Sequence, residues 1–109
     1  MTHSNTKESD GKLMLSSTNT TGYAISDTLT TDFDVNYCEL RRYTNFETEL
    51  DTYHVSNNGG STWEEYDINS GEPHEFAAPG DQLALKITLN RESGTAVSPS
   101  YESVCLLYK

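Results

Sequence analysis

The stretch His54-Val55-Ser56-Asn57-Asn58-Gly59-Gly60-Ser61-Thr62-Trp63 runs from an alternating strand into a polar, glycine-rich turn and leaves through the only tryptophan. It predicts a β-hairpin. Gly59 and Gly60 tolerate positive φ, and Asn58 has a short amide able to bond backbone N–H groups across the reversal. In the approach, Thr52-Tyr53-His54-Val55, the pleat puts Tyr53 and Val55 on one face and Thr52 and His54 on the other. Tyr53, Val55 and Trp63 are therefore expected to share a core, with His54 outside it.

Working outward, the clearest strand is Gln82 to Leu89, whose Leu83, Leu85, Ile87 and Leu89 alternate with Ala84, Lys86 and Thr88. That half-buried signature belongs to an antiparallel sheet with one covered face. Pro79-Gly80-Asp81 just before it reads as a turn. Lys12–Ser16, Tyr23–Ser26, Thr28–Thr30 and Val35–Tyr43 read as further strands. His74 is placed in a turn leading into another. The last strand, Tyr101 to Tyr108, directs Val104, Leu106 and Tyr108 inward and Cys105 and Leu107 outward, which makes Leu107 and Cys105 candidate partner contacts. No stretch keeps apolar residues at helical spacing over three turns. The expected fold is all-β, an antiparallel β-sandwich of seven or eight strands with jelly-roll-like connections. Residues 12–109 form its single domain. Residues 1–11, polar and without a period, are expected as a flexible N-terminal arm able to order on a neighbouring subunit.

The chain has 109 residues and is 34% hydrophobic, enough for one thin core filled by seven tyrosines, three phenylalanines and the tryptophan. Seven basic against seventeen acidic residues give a formal net charge of −10, which disfavours a nucleic-acid partner. No apolar run approaches the roughly 20 residues of a membrane-spanning helix, and the N-terminus lacks the pattern of a signal peptide. The expectation is a protein made in the cytoplasm with no membrane partner.

Cys38 and Cys105 show no Cys-x-x-Cys spacing; free thiols are expected, a disulfide across the sandwich being the alternative. His3, His54 and His74 have no ligand spacing, so no metal is expected. Glu47, Glu49 and Asp51 would share one strand face, read as a solvated acidic face rather than a calcium set. Arg41-Arg42, the only basic pair, is expected to find acidic neighbours. Gly-x-Ser-x-Gly is absent, and neither a catalytic residue nor a cofactor is assigned.

The spacing Ser56-x-Asn58-x-Gly60-x-Thr62-Trp63 resembles the Asp-box, a hairpin motif of sialidase propellers and other β proteins, with Asn58 where aspartate is usual. The resemblance implies a folding device without chemistry. The wider series combines Ser26-x-x-Leu29, the hairpin, Pro79-Gly80-x-x-Leu83-x-Leu85-x-Ile87-x-Leu89, Ser98-Pro99 and Val104-x-Leu106-x-Tyr108. It is similar to the small jelly-roll or galactose-binding-like modules in virions of tailed bacteriophages. That likeness implies a non-enzymatic virion protein, a capsid decoration or tail-associated module, bound to other virion subunits and to copies of itself. The alternative is a carbohydrate-binding module that holds a glycan through exposed aromatics.

Overall fold

Leu83, Leu85, Ile87 and Leu89 recur at every second residue, and an extended chain puts all four on one side. They floor the core in the computed structural model of the protein, which describes residues 1–9, 11–46 and 50–109. Nine strands are present among these residues: β1 (Thr2–Ser4), β2 (Thr6–Ser9), β3 (Lys12–Leu15), β4 (Thr21–Ile25), β5 (Leu29–Phe46), β6 (Thr52–Ser56), β7 (Glu64–Tyr66), β8 (His74–Asn90) and β9 (Ser100–Tyr108). No helix occurs among them.

The strands pair antiparallel in the order β1-β4-β8-β5-β9-β3-β2, with β6 on the other edge of β8 and β7 beyond it. Two long strands make this one sheet rather than two separate layers. β8 holds β4 and β6 along its C-terminal half and β5 along its N-terminal half. β5 in turn leaves β8 and pairs with β9 from Cys38 onward. At the far side Asn5 has φ 56, a left-handed turn that asparagine tolerates, and there the chain passes from the edge of β4 to the edge of β3. The sheet so curls into a nearly closed, barrel-like sandwich. Leu13, Leu15, Val35, Leu40, Tyr53, Val55, Tyr66, Phe76 and Tyr101 fill its interior against the four β8 residues.

Several expectations need correction. The proposed arm is not free: Thr2–Ser4 and Thr6–Ser9 are edge strands, and the Met1 ammonium lies 3.1 Å from Asp27 Oδ1. Edge pairing uses main-chain groups, so a polar sequence with no apolar face can still adopt it. Pro79-Gly80-Asp81 is not a turn but lies inside β8, where register shifts against β5 absorb it. A bulge suits proline, which has no N–H for the ladder. Trp63 is half-buried and lies against the turn, outside the core that holds Tyr53 and Val55. Tyr108, expected inward, is 38% exposed and tilts against Phe33 with ring centroids 5.9 Å apart. Its register partner Cys38 on β5 is buried, but Tyr108 lies on the open side of β9. His74 opens β8 instead of sitting in the preceding turn.

Candidate interaction surface

The hairpin between β6 and β7 closes as its spacing implies. Gly60 N and Asn58 N donate to Ser56 Oγ at 2.9 and 3.3 Å, and Thr62 N donates to Asn58 Oδ1 at 3.0 Å. Ser56 Oγ itself donates to Asn58 Oδ1 at 2.7 Å. The amide makes use of the replacement of aspartate: Asn58 Nδ2 donates to Thr62 Oγ1 at 2.7 Å, a bond whose direction a carboxylate would reverse. Gly59 and Gly60 have φ of 71° and 88°, and the Trp63 ring rests on the space a Gly60 side chain would occupy. Every polar group of Ser56, Asn58 and Thr62 named here serves the turn. The motif is a brace.

Asn57 reaches the other way. Its buried Nδ2 donates to Val35 O at 3.0 Å and Ala78 O at 2.7 Å, and its own carbonyl accepts from Gln82 N at 3.2 Å. One amide thus ties the hairpin to β5 and β8 at the bulge. The sequence shows this residue only as part of a turn, because its partners are 21 and 22 residues away.

A second buried group also escaped the sequence reading. Tyr101 Oη donates to Asp51 Oδ2, and Asn90 N donates to Asp51 Oδ1 at 2.9 Å. With its one proton committed, Tyr101 accepts from Tyr53 Oη at 2.7 Å. The Arg42 guanidinium lies over the Tyr53 ring, 5.5 Å from its centroid. Burial first, then the Asp51 and Tyr53 contacts, hold the Tyr101 phenol far above its ordinary value, so it keeps its proton throughout the neutral range. The group joins β9, β6 and the end of β8. Glu47 and Glu49, expected to share a solvated acidic face with Asp51, lie outside the described residues; Asp51 itself is buried. Among the described residues no group of three or more His, Cys, Asp or Glu is placed to hold a metal ion.

Cys38 points into the core and Cys105 out from the other side of the same sheet, so both thiols are free. Burial, and after it the nearby Glu64 carboxylate, push Cys38 from 9.0 up to about 12. A raised folded value stabilises the fold fully while the unfolded thiol is also protonated, below about pH 9. That contribution is lost as the pH rises from there toward 12. Iodoacetamide at neutral pH is expected to add one group, on Cys105, and a second only in urea. Equal labelling of both thiols in the native protein would refute the burial of Cys38.

The outer face of the β5–β9 ribbon carries no covering layer among the described residues. Cross-strand register sets Glu39 beside Leu107, Arg41 beside Cys105 and Tyr43 beside Ser103, while the C-terminal Lys109 pairs with Tyr37. Leu107 is 50% and Tyr43 62% exposed. Arg41 Nη2 is 3.1 Å from Glu39 Oε1, the acidic neighbour expected for the basic pair, and the Lys109 ammonium lies 5.6 Å from the Tyr37 ring centroid. A shallow groove of about 190 Å³ opens among Tyr37, Cys38, Glu39, Pro73, Leu107 and Tyr108. The sequence placed Leu107 and Cys105 on this side by parity alone. Tyr37 and Tyr43 join them only through pairing across strands.

The fold and this surface define an all-β, barrel-like protein with an exposed mixed aromatic and aliphatic face. Compared with known protein families, curated proteins and solved structures, the chain gives no match. Among the described residues no helix is long and apolar enough to cross a membrane.

Proposed function

We propose that the protein is a non-enzymatic assembly module that attaches to other protein subunits through the outer face of its β5–β9 ribbon, as a capsid decoration or tail-associated component of a bacteriophage virion. The observation that carries the attachment is the uncovered ladder of Tyr37, Leu107, Cys105 and Tyr43, with a local ion pair between Glu39 and Arg41. Apolar and aromatic groups around a small polar component are the composition of a protein-binding patch. The virion setting rests on the likeness of the strand and turn series to phage modules. A high negative charge supports it, keeping a protein made in many copies soluble until it is placed.

Particles lacking the protein provide the test. Wild type is expected to cosediment with them, and the double variant Tyr37→Ser, Leu107→Lys to bind at least about tenfold more weakly, since interface anchors of this type carry 1–2 kcal/mol or more. Both positions are exposed, so the variant should keep its fold. Failure of wild type to cosediment, together with monomeric binding on a glycan array, would replace this reading with the carbohydrate-binding one.

A further inference from the structure

The β5–β9 ladder can be phased from its end. Tyr37 N donates to Lys109 O at 2.9 Å and Lys109 N to Tyr37 O at 3.0 Å, so these two form a hydrogen-bonded pair. The register then runs one to one from Cys38–Tyr108 to Tyr43–Ser103. In an antiparallel ladder such pairs alternate, so Leu107, Cys105 and Ser103 turn their N–H and C=O groups toward β5. Val104, Leu106 and Tyr108 turn theirs the other way. On that side β9 meets β3 only at Tyr101 and Ser100, and past them no described strand lies across from it.

We propose that this free edge is a homodimerisation edge, two copies joining β9 to β9 antiparallel about a two-fold axis at Cys105. The inference rests on the reading of the protein as an assembly module and names one surface by which copies meet. The register that uses the whole free run, Glu102 to Tyr108, has its midpoint at Cys105. It pairs Val104 with Leu106, Ser103 with Leu107 and Glu102 with Tyr108 of the second copy, each twice. At the Val104–Leu106 pairs outward-turned main-chain groups face outward-turned groups, and Ser103 leaves room for Leu107; Glu102 lies at the register shift where β9 turns toward β3. Cys105 meets its own copy in a narrow pair, with Cα atoms about 4.5 Å apart. At either end Tyr108 of the second copy meets a cleft of about 290 Å³ lined by Met1, Glu8, Gly11 and Glu102, where β3 has diverged from β9.

Glu102 is the one charged residue in the run, and edge strands that avoid pairing ordinarily carry lysine or proline. One strand pair buries less than the roughly 1,200 Å² of a standard interface, and each copy carries a net charge of −10, so the dimer is weak, concentration-dependent and strengthened by salt.

Light scattering over a concentration series, with and without added salt, reads the association. Wild type and Cys105→Ser are expected to rise toward twice the monomer mass. Cys105→Lys sets two like charges face to face at an exposed position and should weaken the dimer about tenfold or more. Diamide, which takes up the two protons and two electrons released as the thiols join, should convert wild type to a dimer whose linked peptides are Cys105 with Cys105. The separation fits a disulfide, for which Cα atoms stand about 4.4–6.8 Å apart. A dimer that Cys105→Lys leaves intact, or that diamide does not link, would overturn the β9 edge and leave the assembly reading standing. A monomer at every concentration that still cosediments with particles would do the same. A monomer that binds nothing would overturn both.

Discussion

Replacing Gly80 by alanine is expected to cost about 3 kcal/mol, the upper range for forcing an extra carbon into a packed site. A Cβ there would overlap the carbonyl oxygen of Asn57 and lie 3.1 Å from its carbon. Both are backbone atoms held in place, because the Asn57 side chain is bonded to Val35 and Ala78 and its carbonyl to Gln82. The substitution therefore cannot relax without moving the hairpin off the barrel. Asn57→Ala should approach the same loss, about 2–3 kcal/mol, by leaving the buried Val35 carbonyl and the partly buried Ala78 carbonyl without their donor. Asn58→Ala, which loosens an exposed turn, should cost only about 1 kcal/mol. Urea midpoints of the three variants check the order. If Asn58→Ala were the most damaging, the turn and not its docking would be the keystone.

Tyr101→Phe is the second large effect, expected at about 2–3 kcal/mol because a buried charge-assisted bond to Asp51 is lost together with an acceptor for Tyr53. It also carries a pH signature. The native phenol is held far above its ordinary value of 10.0, so its contribution is complete below about pH 10. It declines as the pH rises further, because the unfolded phenol ionises where the folded one does not. Unfolding curves at pH 7 and 10.5 should show wild type losing more stability between the two than Tyr101→Phe does. Cys38 titrates in both proteins and cancels in that comparison. Equal alkaline losses would mean that Tyr101 is not confined as described.

Parity was a sound guide wherever a strand has one covered face. It put Leu83, Leu85, Ile87 and Leu89 in the core, Tyr53 and Val55 beside them, and Leu107 and Cys105 outside. It misplaced Tyr108, because alternation says which way a side chain points and not whether anything lies there to cover it. Trp63 misled for a related reason. A large aromatic is ordinarily a core residue, but here its ring caps a glycine turn. The interaction surface was half legible: its β9 members follow from alternation, while Tyr37 and Tyr43 join them by hydrogen bonds between strands far apart in the chain.

By itself the sequence determined the all-β class, the hairpin at Ser56–Trp63 and the strands with a clear period of two, because these depend on residues within a few positions of one another. Tertiary structure alone decided the rest. Thr2–Ser4 and Thr6–Ser9 become strands since β4 and β3 offer them main-chain partners, which no side-chain pattern records. Proline and glycine inside β8 become a bulge instead of a turn because β5 continues to pair on either side of them. Asp51, from an acidic run, becomes a buried acceptor because Tyr101, 50 residues later, is brought against it. Except for the short β2–β3 hairpin, the deciding interaction joins distant segments, and its free energy exists only once the sheet has closed.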